Sequence, residues 1–226
     1  MLTAKLILER FSKDGRLLER RERPSRSFLF QFIELLYVAH AQIQSGAPYA
    51  MTDIDSVARD IDVQSASDEE SKCNLKIGSL GGDGAVYVYD GYYSIASQPS
   101  RNMLEGSKIG IQVGTGVGAV IPADVALGTR IAHGSAGGQL EYGGCELLSM
   151  AFVDPDGEFT IRRYFTNNSG GGITVEEVGI YAAAAEYFAG AAGGSWPFCI
   201  ARDLTGGVAV ANTELLRATY VLQITV

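Results

Sequence analysis

The clearest alternation of apolar and polar positions lies at the end of the chain. Leu216, Ala218, Tyr220, Leu222, Ile224 and Val226 alternate with Arg217, Thr219, Gln223 and Thr225, and only Val221 breaks the pattern. A period of two predicts a strand, with the first set buried and the second facing solvent or a neighbouring subunit. Further strands are predicted over 73–78, 84–90, 107–113, 145–153, 158–166 and 173–181. Turns such as Gly81-Gly82-Asp83-Gly84, Asp154-Pro155-Asp156-Gly157 and Asn167-Asn168-Ser169-Gly170 punctuate them. Near the start, Leu6-Ile7-Leu8 and Leu17-Leu18 flank Ser12-Lys13-Asp14-Gly15, which predicts a β-hairpin over 3–23 ended by Pro24.

The pattern then changes period. Residues 28–43, FLFQFIELLYVAHAQI, predict a helix that Ser25 or Ser27 could cap. Phe28, Phe30, Phe32, Ile33, Leu35, Leu36, Tyr37 and Ile43 surround most of it, leaving a narrow polar stripe of Gln31, Glu34 and Gln42. A helix so apolar must be covered on most sides, by the rest of the fold or by another subunit. Residues 45–72 hold little core material and repeat Asp-Ile-Asp at 53–55 and 60–62, which reads as a long loop, a linker or a partly disordered excursion. The Ala/Gly-rich stretch 182–196 reads as a flexible loop or a short helix. The expected fold is mainly β: an antiparallel β-sandwich with an N-terminal β-hairpin and one strongly apolar helix. It divides into a hairpin and helix serving as an assembly arm (1–44), an acidic loop or linker (45–72) and a β-sandwich core (73–226).

Composition sharpens this picture. A chain of 226 residues that is 46% hydrophobic and 19% charged folds around its own core, and its 28 glycines suit many turns or surface hidden in an assembly. The net charge of −8 argues against direct nucleic-acid binding. The charge is also uneven. Residues 1–26 carry eight Lys and Arg against four acids (+4), and the remainder carries ten against 22 (−12). Either the basic segment docks on an acidic surface, such as a neighbouring copy, or it is an ordinary solvated hairpin. Arg20, Arg21, Arg23, Arg26, Phe28, Phe32, Leu35 and Leu36 are therefore the interface candidates. Cys73, Cys145 and Cys199 are widely spaced and odd in number, as buried thiols of a reducing compartment are. The apolar run 28–38 before Ala39-His40-Ala41 mimics a signal peptide, but four acids precede it and Gln31 and Glu34 interrupt it. Neither a signal peptide nor a membrane span is expected.

Candidate chemistry is sparse. Gly110-Ile111-Gln112-Val113-Gly114-Thr115-Gly116 invites a nucleotide-loop reading but lacks the lysine and hydroxyl of a phosphate loop, so a glycine-rich turn after a strand is expected. Asp53, Asp55, Asp60, Asp62, Asp83, Asp154 and Asp156 match no calcium-loop spacing and read as turn residues. His133 and Cys145 are the single pair from which a nucleophile and base could be drawn, and a structural His beside a glycine turn is the commoner case. Tyr87, Tyr89, Tyr92 and Tyr93 could stack on a sugar or simply pack across strands. No catalytic residue, metal or cofactor is expected.

An ordered series of motifs adds a family resemblance. It begins with Ile109-Gly110-Ile111-Gln112-Val113-Gly114-Thr115-Gly116, Ala126-Leu127-Gly128-Thr129-Arg130-Ile131-Ala132-His133-Gly134 and Gln139-Leu140-Glu141-Tyr142-Gly143. It continues with Arg163-Tyr164-Phe165-Thr166-Asn167-Asn168-Ser169-Gly170, Ile173-Thr174-Val175-Glu176-Glu177-Val178-Gly179-Ile180-Tyr181 and Ile200-Ala201-Arg202-Asp203. With the N-terminal hairpin and Pro24-Ser25-Arg26-Ser27-Phe28, the series resembles structural proteins of tailed bacteriophages and prophages. The resemblance spans 1–43 and 107–226, and departs from the family where Leu204-Thr205-Gly206-Gly207-Val208 replaces a Pro-Val strand start. It implies a non-enzymatic virion subunit, made in the host cytoplasm, whose partners are other copies of itself and other virion structural proteins. A module binding host-surface glycan is the alternative.

Overall fold

The computed structural model describes residues 2–25, 27–41, 49–61, 79–80, 86–87, 108–148, 151–153, 156–185 and 195–225. Its elements are β1 (Leu2–Phe11), β2 (Leu17–Ser25), α1 (Phe30–His40), β3 (Tyr49–Thr52), β4 (Ala58–Ile61), β5 (Ser79–Leu80), β6 (Val86–Tyr87) and β7 (Gly110–Gly114). They continue with β8 (Glu141–Leu147), β9 (Ala151–Val153), β10 (Asp156–Thr166), β11 (Ile173–Ala185), β12 (Ser195–Val210) and β13 (Leu215–Thr225). The larger sheet runs β2-β1-β13-β10-β8-β6-β5, with β9 also paired to β10, and the smaller runs β12-β11-β7. Strand neighbours in both are antiparallel. One core contains side chains of both sheets: Leu6, Ile161, Phe165 and Leu216 from the larger, Ile111, Val175, Val178 and Val208 from the smaller. The chain is the expected antiparallel sandwich.

Local chemistry explains the hairpin. Gly15 takes φ +79°, and Gly15 N–H donates to Ser12 O at 2.9 Å, closing the turn between β1 and β2. Pro24 does not end the hairpin as expected, because β2 continues to Ser25 with Pro24 opposite Lys5. That strand is the sheet edge, where a missing N–H breaks no ladder bond. Nor is the hairpin a separate arm: β1 pairs with β13 from Leu2–Ile224 to Phe11–Leu215.

In β13 the predicted alternation holds through Leu216, Ala218, Tyr220 and Leu222, all buried. It fails at Ile224, which is 56% exposed near the strand's end. Thr219, expected to face solvent, is only 9% exposed, flanked in the sheet by Ile7 and Arg162. The Ala-rich stretch is the larger correction. Residues 182–185 extend β11 and 195–196 begin β12, while 186–194 lie outside the described residues. β11 is the middle strand of the smaller sheet, covered on both faces, so Tyr181, Ala182, Ala183 and Ala184 are all buried. Strands buried on both sides lose the period-2 signal.

The helix is shorter than predicted and uses neither serine as a cap. Leu29 stands at the N-cap without a side-chain bond. Leu29 N–H instead donates to Ile200 O at 3.0 Å and Phe30 N–H to Pro122 O at 2.8 Å, because Phe28 bridges Ala201 on the β12 edge. Ser25 Oγ donates to buried Asp203 Oδ2 at 2.6 Å. The segment expected as a linker contributes an ordered hairpin, β3–β4, whose Met51 and Ile61 enter the core. Asp53 Oδ1 accepts from Asp55 and Val57 N–H at its turn, and Asp53 Oδ2 accepts from Arg59 Nε at 2.8 Å. The strand predicted at 73–78 lies outside the described residues.

Candidate functional site

The glycine-rich turn that resembles a phosphate cradle already holds an anion, and the anion belongs to the chain. Glu177 projects from β11 with its side chain fully buried. Its Oε1 accepts from Gly116 N–H at 2.9 Å and Thr129 N–H at 2.8 Å. Its Oε2 accepts from Gly128 N–H at 3.0 Å and Arg202 Nε at 2.8 Å. Arg202 also reaches Asp124 Oδ2 at 2.7 Å and Gly118 O at 3.1 Å, so the loop 115–131 is tied to β11 and β12 by one charged network. A Cβ on Gly114 would lie 2.5 Å from Glu177 Oε1 and 2.6 Å from Thr129 O, which is why no side chain fits there. These backbone donors are occupied by the chain's own carboxylate, which leaves them none to offer a phosphate.

A second buried charge bridges the sheets. Arg163 on β10 is fully buried; its Nε donates to Gly143 O at 2.8 Å and its Nη1 to Ile109 O and Ile111 O at 3.2 and 3.1 Å. Its guanidinium lies 4.9 Å from the Tyr142 ring centroid. The sequence reading missed both Glu177 and Arg163. The visible signal was a pair of adjacent charges in each predicted strand, Arg162-Arg163 and Glu176-Glu177, of which a period of two turns one inward.

His133 and Cys145 are not arranged as base and nucleophile. His133 Nδ1 accepts from Tyr142 N–H at 3.0 Å. Cys145 is fully buried, and burial pushes its thiol up to about 11, so it carries no appreciable thiolate at neutral pH. Cys199 is buried likewise and pushed up to about 12. In the folded protein neither thiol is expected to react with iodoacetamide, and both should label after unfolding, as peptide mass mapping would show. Native labelling of Cys145 would reopen the nucleophile reading. Among the described residues no group of three or more His, Cys, Asp or Glu could hold a metal ion.

The interface candidates divide. Arg20 pairs with Glu22 at 2.9 Å and Glu9 at 3.7 Å, and Arg21 with Glu19 at 2.6 Å, so much of the basic charge is answered within the hairpin. Arg21 also reaches Thr205 O and Gly206 O at 3.4 and 3.3 Å. Arg23 is half-buried opposite Leu6, and Arg26 lies outside the described residues. On the helix, Leu35 is fully buried in the core and Phe28 and Phe32 pack against it, so Leu35 is unavailable to a neighbour. Leu36 is half-buried. The face left open is a different one: Phe30, Ile33 and Tyr37 are 59%, 61% and 54% exposed. Gln31, assigned to the polar stripe, is buried and donates to Thr52 O at 2.5 Å. The helix is turned so that part of its apolar surface faces outward, beside exposed Ile121.

Of the tyrosines, Tyr87 lies on β6 opposite Glu146, its side chain outside the described set, as are Tyr89, Tyr92 and Tyr93 altogether. A hollow occurs elsewhere, at the tip of the β1–β2 hairpin, with a volume of about 510 Å³. Its lining includes Phe11, Lys13, Tyr164, Thr213 and Arg217. No family model, curated protein or solved structure matches the chain. No helix among the described residues is long and apolar enough to cross a membrane.

Proposed function

We propose that the chain is a non-enzymatic structural subunit of a tailed-phage particle that assembles as a symmetric homo-oligomer in the tail, neck, fibre-attachment or capsid-decoration apparatus. The observation that carries this reading is the helix face. Phe30, Ile33 and Tyr37 recur at i, i+3 and i+7 and are exposed together, an arrangement that a lone subunit gains nothing by leaving in water. The ordered motif series described above supplies the virion context. The core-facing half of the same helix packs on β12, so a partner seated on the outer half would sit on a rigid base.

Replacing Phe30 and Ile33 together with Ser is expected to lower the mass in solution by light scattering, and to reduce copies per purified particle, while leaving subunit folding intact. Both side chains are exposed in the single chain, and exposed substitutions usually change stability by only about 0.5 kcal/mol. A wild-type protein that is monomeric and absent from purified particles would sink the proposal.

A further inference from the structure

The hollow at the hairpin tip has the features of a ligand site, and none of its lining residues belongs to the helix face proposed for assembly. It is built where three loops meet: the β1–β2 turn, the β10–β11 loop and the β12–β13 turn. Two of these are locked together from below. Buried Asn167 donates through Nδ2 to Gly171 O at 2.8 Å and Val210 O at 2.7 Å, and Gly170 N–H donates to Asn212 Oδ1 at 2.9 Å. Beside them Thr213 is held at φ +71°, a left-handed conformation that is a genuine outlier for a β-branched residue. Its N–H donates to Asn167 O at 2.6 Å. Backbone strain of this kind, kept by a rigid surround, clusters at binding sites.

The lining specifies the chemistry. Phe11 and Tyr164 are half-buried rings, and the Arg217 guanidinium lies 5.2 Å from the first ring's centroid and 5.9 Å from the second's. Ser12, Thr166 and Thr213, all hydroxyl-bearing, line the same space. Two aromatic rings that share a guanidinium, among hydroxyl-bearing side chains, match a sugar ring, which presents C–H bonds on its faces and hydroxyls at its edge. Of the carboxylates around the hollow, Glu9 is paired with Arg217 at 2.7 Å and Glu214 with Arg10 at 2.9 Å, and Glu141 accepts from Asn168 at 2.7 Å; Asp14, exposed beside Lys13 in the turn, is not part of the lining. Lys13 lines the hollow, is exposed, and has no ion pair among the described residues. One uncommitted cation suits a ligand with a single negative charge, not a polyphosphate. We infer that this hollow binds a sugar ring bearing one carboxylate, a uronic-acid unit, with the ring on Phe11 and Tyr164 and the carboxylate toward Lys13.

The inference concerns one chain and stands apart from the assembly reading, whose test is a mass. Titration by NMR with glucuronic acid, with a disaccharide ending in glucuronic acid, and with glucose as the neutral counterpart tests it. Expected are shifts at residues 11–16, 164–168 and 213–217, with glucose weaker than glucuronic acid by about tenfold, the worth of one charge-assisted hydrogen bond. Disaccharide binding at least as tight as the monosaccharide's identifies a glycan end as the source; loss of binding in the disaccharide identifies the free sugar acid. Lys13→Glu, at an exposed turn, should remove the preference for the acid, and Tyr164→Ala should weaken both sugars about tenfold. Equal affinity for glucose and glucuronic acid, no shifts with any of the three, or a Lys13→Glu protein that keeps the preference would each overturn the inference.

Discussion

Glu177→Gln should destabilise the protein by about 3–5 kcal/mol, measured as a lower midpoint in urea at unchanged slope. Both carboxylate oxygens are used twice: Oε1 by the N–H groups of Gly116 and Thr129, Oε2 by Gly128 N–H and Arg202 Nε. An amide keeps one oxygen and turns an NH₂ against two donors that cannot accept. Arg202 would keep Asp124 but lose its fully buried partner, and breaking such a pair is the costly outcome. Arg202→Ala should cost a comparable amount, and the double replacement less than the sum, because each single change already strands the other. Additive costs would show that the two side chains do not share a network. A loss under about 0.5 kcal/mol for Glu177→Gln, the size of an ordinary surface change, would show that the cradle is solvated and available to an outside anion.

The second large effect is expected at Arg163. Arg163→Lys keeps the charge but replaces a planar fork with a single ammonium. The guanidinium reaches Gly143 on β8 through Nε, and through Nη1 the carbonyls of Ile111 on β7 and of Ile109 just before it. One nitrogen cannot occupy both places. At about 1.5–3 kcal/mol for a hydrogen bond to a charged group, the expected loss is about 2–4 kcal/mol in chemical denaturation. An Arg163→Lys protein as stable as wild type would mean that the guanidinium adds nothing to the contact between the sheets beyond apolar packing and the hydrogen bonds of Ser25, Tyr142 and Tyr220.

The first of these sites bears on the proposed assembly. The Glu177–Arg202 network holds the loop that carries Ile121 and Pro122, and Phe30 N–H is bonded to Pro122 O. The outward helix face and the loop beside it are thus braced from the same buried charges. If the helix face is the assembly surface proposed above, it is held in one geometry before a partner arrives, which lowers the ordering cost of association.

How much was legible in the chain differs from element to element. The hairpin, predicted over 3–23 and found over Leu2–Ser25, and the inward residues of β13 from Leu216 to Leu222 followed from local signals, a glycine turn and a period of two. The mainly β class and the single helix followed in the same way. The extension of β11 through Ala185 did not, because alanine carries no face preference, and burial on both sides removes the alternation a half-buried strand displays. The helix was legible as apolar, but not which way it turned. Its orientation is set by Phe28 bridging Ala201 and by Leu35 and Val38 entering the core, contacts to residues far along the chain. That rotation buries Gln31 and exposes Phe30, Ile33 and Tyr37, the reverse of what the polar stripe suggested.

The sequence by itself determined the class of fold, the strand-forming segments with regular alternation, the hairpin turn at Gly15 and the uneven distribution of charge. Each of these depends on neighbours a few residues apart, where backbone conformation and side-chain period act directly. Tertiary structure decided the rest: that Gly114 and Gly116 surround Glu177 and no phosphate, that Arg20 and Arg21 are answered by Glu9, Glu19 and Glu22, and that Phe11, Lys13, Tyr164 and Arg217 share one hollow. These groups meet because antiparallel pairing places Phe11 beside Leu215 and Tyr164 beside Arg217, residues separated by most of the chain in the first case. Proximity of that kind is a property of register, and register is settled only when the buried faces of both sheets close on one core.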